Sequence, residues 1–301
     1  EIAQCLVGSE MCIRDREKSA DMQKQIDEID LKLYNLLIHR TELVERQPVN
    51  AVENTLGKEA AAIKNLLKFH RGNFPRYVIA KIWREILSAS ACLREKLKFS
   101  VFETDSCDDL INIVQEHFGS YAEYVTRSSF GQVMTVITNH EAQLGIIPCD
   151  NHEMNLKPWW SGFSSTGEGL KIIAKLPFLK RKENPLTESD VYVVALTHPA
   201  QSGDDVSLLG IEVNNDVSVS TIVEALENAG YRNPKIQLMA KVDDENKSYL
   251  AEVDGFLKPN DDGLKPLRAQ FNNINIVGSY ARPIEPVSYT HLRAHETLSD
   301  L

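Results

Sequence analysis

The sequence predicts a multidomain α + α/β protein: an N-terminal three-helix module, a small α/β lobe and a C-terminal β-α-β-β-α-β domain. Three observations carry this. Apolar residues recur at three-to-four spacing up to about Leu97, and from Lys98 the period changes to alternating strand and helix patterns. The last third then repeats the strand and helix signals in the order of a split β-α-β fold. A chain of 301 residues is also longer than one core usually serves.

The bulk numbers bound the function. Hydrophobic content of 43% and charged content of 25% are ordinary for a globular protein. A net charge of −10 disfavours nucleic acid and anionic membrane as partners. No apolar run approaches the roughly 20 residues of a membrane span. Cys5, Cys12, Cys92, Cys107 and Cys149 form no CxxC pair, so reduced thiols in a cytoplasmic protein are expected.

The two ends read differently from the rest. CLVGSEMCIRDR, within residues 1–18, and VSYTHLRAHETLSDL, residues 287–301, resemble translated adaptor sequence and lack the regions of a signal peptide. Both are expected to be non-native, with the native chain starting near Met22 and ending near Pro286. His291 and His295 fall outside the fold reading with them.

Residues 19–97 read as three helices. The first runs from Ser19 to about Arg46, with Ile26, Ile29, Leu33, Leu36, Leu37, Leu43 and Val44 on its stripe. The second runs from about Lys58 to His70, and Gly72 is placed to cap it. Phe74-Pro75 opens the third, which carries Ile79, Ile82, Trp83, Ile86, Leu87, Leu93 and Leu97. Polar residues fall in phase with these stripes: Gln23, Arg40, Glu59, Ser90 and Arg94. A charge facing a helical core must be paired or bound to a ligand. Arg40, Lys58, Glu59 and Arg94 therefore indicate either a polar pocket inside a bundle or snorkelling side chains plus one buried ion pair.

The run IDEIDLKLYNLLIHRTELVE resembles the first helix of the all-helical (type II) chorismate mutase family. LGKEAAAIKNLL resembles its second helix and IWREILSASACL its third, so the likeness covers about Asp21 to Lys98. The resemblance implies an intertwined homodimer and a [3,3]-sigmatropic rearrangement of chorismate to prephenate, with no metal and no cofactor. Such a site works by holding a dianion in place and stabilising charge on the breaking ether oxygen. By the resemblance, Arg40, Lys58 and Glu59 are catalytic, while Gln23, Thr55, Ser90 and Arg94 bind substrate. Arg40, Glu59 and Ser90 match the family's residue types. Lys58 and Gln23 stand where it has arginines, Arg94 where it has a glutamine and Thr55 where it has an aspartate. Ala51 stands nearest the position of a lysine late in the first helix, and Pro48 ends that helix early.

Residues 98–198 read as strand FSVFETD, helix CDDLINIVQEHFG, strand AEYVTR, helix SFGQVMTVITNH and strand AQLGIIPCDN, giving a partly parallel sheet. QLGIIPCDN resembles a strand and loop in the first lobe of prephenate dehydratases. The Gly-rich opening loop, the Thr-Arg-acidic motif and the second lobe of that family are missing, so dehydratase activity is not expected. Trp159 and Trp160 line a leftover cleft or pack, and Ser164 to Gly167 form a loop.

Residues 199–286 read as strand DVSLLGIEV, helix VSVSTIVEALENAGY, strands KIQLMAKV and SYLAEVDGFL, helix GLKPLRAQFNN and strand INIVGSY, a ferredoxin-like order. INIVGSYARP resembles the closing strand of the ACT domain of prephenate dehydratases. That likeness implies an aromatic amino acid effector at a domain interface, although the family's ligand-cradling motifs are not recognisable; a structural or dimerising domain is the other reading. Taken together, the expectation is a chorismate mutase of Phe/Tyr biosynthesis. The alternative is a catalytically weakened regulatory or amino-acid-binding protein derived from one.

Overall fold

The computed structural model describes residues 2–46, 55–94, 97–104, 107–119, 123–149, 158–163, 169–180 and 190–285. The chain forms two compact units, Glu1–Val49 and Asn50–Leu301. Ala51, the loop Ser164 to Gly167 and the tail 287–301 lie outside the described residues, as does the side chain of Arg94.

Among its described residues, the first unit is the helix α1 (Ile2–Glu45). The helix expected from Ser19 begins seventeen positions earlier, because one glycine and no proline interrupt residues 2–18. Its apolar stripe faces outward: Ile26, Ile29, Leu33 and Leu36 are each at least half exposed.

The second unit begins with α2 (Leu56–Phe69) and α3 (Arg76–Arg94). The α/β part follows: β1 (Lys98–Phe102), α4 (Cys107–Phe118), β2 (Glu123–Arg127), α5 (Phe130–Thr138) and β3 (Leu144–Pro148). A 3-10 turn at Trp159–Gly162 precedes β4 (Lys171–Leu176) and β5 (Val191–Ala195). The last elements are β6 (Asp205–Asn214), α6 (Val219–Asn228), β7 (Arg232–Lys241), β8 (Asn246–Asp254), α7 (Leu264–Gln270) and β9 (Asn273–Ala281).

The nine strands of the described residues join one mixed sheet in the order β2-β1-β3-β5-β4-β9-β6-β8-β7. β1 pairs in parallel with β2 and β3, as the strand–helix alternation predicts, and β5 pairs antiparallel with β3 and β4. β9, β6, β8 and β7 are antiparallel neighbours. β4 and β5 were not assigned from the sequence. Their short apolar runs are buried on both faces, which leaves no alternation to read. The halves of the sheet meet where β4 passes β9 at Ile172 and Gly278. A Cβ on Gly278 would sit 2.1 Å from the Ile172 carbonyl oxygen, so only glycine allows this approach.

The helices α2, α3 and α4 share one core with β1, β4 and β5, built on Ile63, Leu67, Phe99, Leu110, Phe118 and Leu176. The buried face of α3 differs from the stripe of large residues. Ala80, Arg84, Ser88 and Ala91 face inward at helical spacing, whereas Ile82 and Leu93 are exposed. Small residues let α3 approach closely. On the opposite face of the sheet, Trp159 and Trp160 pack into a second core with Ile147, Tyr192 and Leu208. The Trp160 indole N–H donates to Ser248 Oγ at 2.8 Å. No helix among the described residues is long and apolar enough to cross a membrane.

Candidate functional site

At the start of α2, the Thr55 hydroxyl donates to Glu59 Oε1 at 3.0 Å. Glu59 lies on the apolar face of α2 and is only 8% exposed. Its other oxygen accepts from Nη2 of Arg84, itself 5% exposed, at 2.5 Å. A charge this deeply buried needs such a partner. Arg84 Nε donates to Ser88 Oγ at 3.2 Å, and the Ser88 hydroxyl donates to the His117 carbonyl at 2.7 Å. The network thus ties α2, α3 and α4 together. Burial, reinforced by the Arg84 charge, holds the His117 ring well below its ordinary value of 6.5.

A cavity of about 20 Å³ lies under the first turn of α2, bordered by Leu56, Gly57, Arg84, His117, Lys175 and Phe178. It holds about one water. Lys175 connects it to a second ionic cluster. Its ammonium lies 3.2 Å from Glu252 Oε1 and 3.5 Å from Asp190 Oδ2. The Tyr280 hydroxyl donates to Glu252 Oε1 at 2.6 Å, and Gln237 donates to Oε2 at 2.7 Å. Lys180 holds the other oxygen of Asp190 at 2.6 Å. Lys175 also lies over the Tyr192 and Tyr280 rings. Burial works against its charge, but the facing Glu252 and Asp190 carboxylates outweigh it and raise its pKa. Burial pushes the Cys149 thiol far up, so it is not a thiolate nucleophile.

Of the residues expected to form the site, Thr55 and Glu59 are brought together. Lys58, on the opposite face of α2, is exposed. Ser90 is buried and donates to the Ile86 carbonyl at 2.7 Å. Gln23 and Arg40 lie on α1 in the other unit, where Gln23 donates to Asp27 at 2.8 Å. Arg94 closes α3. Sequence reasoning missed Arg84, His117 and Lys175. The signal for Arg84 was its place between Ala80 and Ser88 at i±4.

No family model matches the chain. It is similar to a bifunctional chorismate mutase/prephenate dehydratase of Aquifex aeolicus (strain VF5). The two are 26% identical over 144 residues, covering 45% of this chain and 40% of that protein. The chain therefore spans less than half the length of this relative. Among solved structures, a prephenate dehydratase from Arthrobacter aurescens in complex with L-Phe is similar with a TM-score of 0.43 and 12% identity, over 62% of this chain and 90% of that one. A prephenate dehydratase from Streptococcus mutans gives a TM-score of 0.41 and 15% identity, over 63% and 100% of the chains. GqqA, described as a novel type of quorum quenching acylase, gives 0.43 and 15%, over 65% and 98%.

Proposed function

We propose that this chain is a chorismate mutase of aromatic amino acid biosynthesis, converting chorismate to prephenate. The observation that carries the reading is the similarity over 144 residues to a bifunctional chorismate mutase/prephenate dehydratase, taken with a glutamate buried on α2 beside a guanidinium. The reaction needs no covalent step. It needs cations on two carboxylates, a compact substrate geometry and a donor at the ether oxygen. Arg40, Lys58 and Glu59 are assigned to catalysis, and Gln23, Thr55, Ser90 and Arg94 to substrate binding.

The functional particle in this reading is a homodimer. The exposed stripe of α1 and the exposed Val78, Ile82 and Leu93 of α3 are apolar surfaces that a second copy would cover. The run β6-α6-β7-β8-α7-β9 is assigned as a ferredoxin-like, ACT-like domain with a regulatory or assembly role, and an aromatic amino acid is its proposed effector. Dehydratase activity is not expected.

The test is loss of chorismate absorbance with the purified full chain and identification of prephenate as product. Arg40→Ala should abolish turnover and leave the helical content intact; full activity in that variant would remove the pocket assignment. A second reading, a mutase-derived regulatory protein, is favoured by one observation: Glu59 is held by Arg84 of its own chain over a cavity with room for about one water. A folded helical dimer without turnover would select it.

A further inference from the structure

The helix α2 lies across the junction between the two halves of the sheet. Its Leu56 and Ala60 border the same space as Ile173 of β4 and Ala281 of β9. Among the described residues, β4 and β9 themselves pair only at Ile172 and Gly278. Gly57 and Lys64 stand on one face of α2, two turns apart. A Cβ on Gly57 would sit 2.0 Å from the Ala200 carbonyl oxygen, so the first turn of α2 touches the backbone there. Further along, the Lys64 ammonium donates to the Asp204 carboxylate at 2.8 Å and to the Asp204 carbonyl at 3.0 Å. Asp204 is in turn fixed to the end of β9. Arg282 donates to its carbonyl from the backbone at 2.9 Å and to its carboxylate from Nε at 3.2 Å. The same guanidinium bonds Asp254 at the end of β8. Burial works against the Asp204 charge, but the bonds from Lys64 and Arg282 outweigh it and hold the carboxyl below its ordinary range. Asp204 is half exposed. The Lys64 side chain is only 12% exposed and has two acceptors, which sets the contact apart from an ordinary surface pair.

We propose that Lys64 is a positioning residue, through which the C-terminal β region sets where the first turn of α2 stands. The Gly57 contact alone is a pivot about which the helix can swing. The Lys64 contact, about 10 Å along the axis, removes that freedom. A displacement of the strand ends that carry Asp204 and Arg282 is therefore passed to α2, and with it to Thr55, Lys58 and Glu59 at its start. Lys64 acts through the helix and not on the substrate. The kinetic half of this inference rests on the mutase reading of those three residues; the mechanical half does not.

The experiment compares the full chain with Lys64→Met, which keeps an apolar stem and loses the donor, and Lys64→Arg, which keeps a donor. Amide hydrogen exchange reads α2 from Ala60 to Leu67 and the Arg282 amide, with the centres of β6 and β8 as an internal reference. Chorismate turnover gives kcat and KM. In Lys64→Met, exchange should rise about tenfold in α2 and at Arg282 while the reference stays unchanged. The kcat should fall about fivefold and KM should stay within about twofold. Lys64→Arg should keep both readings near wild type. A pair without positional consequence leaves exchange and kcat at wild type, and a merely stabilising one raises exchange throughout, the reference included. Either result, or locally raised exchange with kcat unchanged, overturns the proposal. If Lys64→Met does not fold, Asp204→Asn decides by the same readings. Wild-type turnover with unchanged exchange in Lys64→Met sinks the positioning role and keeps the mutase. Locally raised exchange in a chain without turnover keeps the mechanical link and sinks the mutase. No turnover together with unchanged exchange overturns both.

Discussion

Two ionic clusters, one buried and one half-buried, meet the same small cavity through Arg84 and Lys175 and are built on opposite principles. The helical one is a pair: Glu59 and Arg84 hold each other, with Thr55 and Ser88 as neutral seconds. The strand one is a mesh: Lys175 meets Glu252 and Asp190, and each carboxylate keeps a further donor, Tyr280 and Gln237 for one and Lys180 for the other. A pair can be opened by a single competing ligand. A mesh cannot, because losing one contact leaves every other group satisfied. The pair is therefore the natural place for binding chemistry and the mesh for fixing β4 against β8 and β9.

The sharpest way to break this comparison is to remove one carboxylate from the pair. Glu59→Ala leaves the Arg84 guanidinium buried with Ser88 as its one hydrogen-bond partner among the described residues, which should cost about 3–5 kcal/mol and be read as a fall in Tm and in the denaturant midpoint. Lys175→Met leaves Glu252 with Tyr280 and Gln237 and Asp190 with Lys180, so the cost should be smaller, about 1–3 kcal/mol. Equal losses in the two variants would show that the mesh has no redundancy.

The pair also sets a pH dependence through His117. Burial first and the Arg84 charge second lower its folded value well below 6.5. The unfolded chain therefore binds the proton more readily, and the stability held by the neutral ring is complete above about pH 6.5. It should fall by about 1.4 kcal/mol per pH unit on acidification below that, until the folded value is reached. The difference between wild type and His117→Gln, measured as Tm from pH 7 to pH 4.5, isolates this slope from the carboxylates. A constant difference across that range would remove His117 as the group responsible.

The two clusters also differed in how much of them could be read from sequence. Glu59 stood out because a carboxylate four residues before Ile63 breaks a helical apolar stripe. Its partner did not, because the inward face of α3 is the small-residue face Ala80-Arg84-Ser88-Ala91 and the large residues drew the stripe elsewhere. Lys175 and Glu252 were invisible for another reason. Glu252 sits on β8, whose polar side reads as ordinary alternation, and Lys175 on β4, which has no alternation to read; nothing local says which polar residues a neighbouring strand will cover. The helices and strands bounded by caps and turns were legible from residue 98 onward. The joining of both β regions into one sheet was not, since it depends on Gly278 admitting the Ile172 backbone, a contact across 106 positions.

The smallest expected effect is the most discriminating. Replacing both members of the pair, Glu59→Met with Arg84→Met, removes two buried charges together, and the Ser88 hydroxyl keeps the His117 carbonyl. Apolar replacement of a whole buried pair is often neutral or stabilising, so the unfolding free energy of the double variant should lie within about 1 kcal/mol of wild type, far from Glu59→Ala. Chorismate turnover should nevertheless be lost, because the double variant lacks the Glu59 that the mutase reading assigns to catalysis. A stable double variant without turnover assigns the pair to function. One that is as unstable as Glu59→Ala assigns it to the fold, and the binding chemistry would then have to be sought among Arg40, Lys58 and the residues a second copy brings.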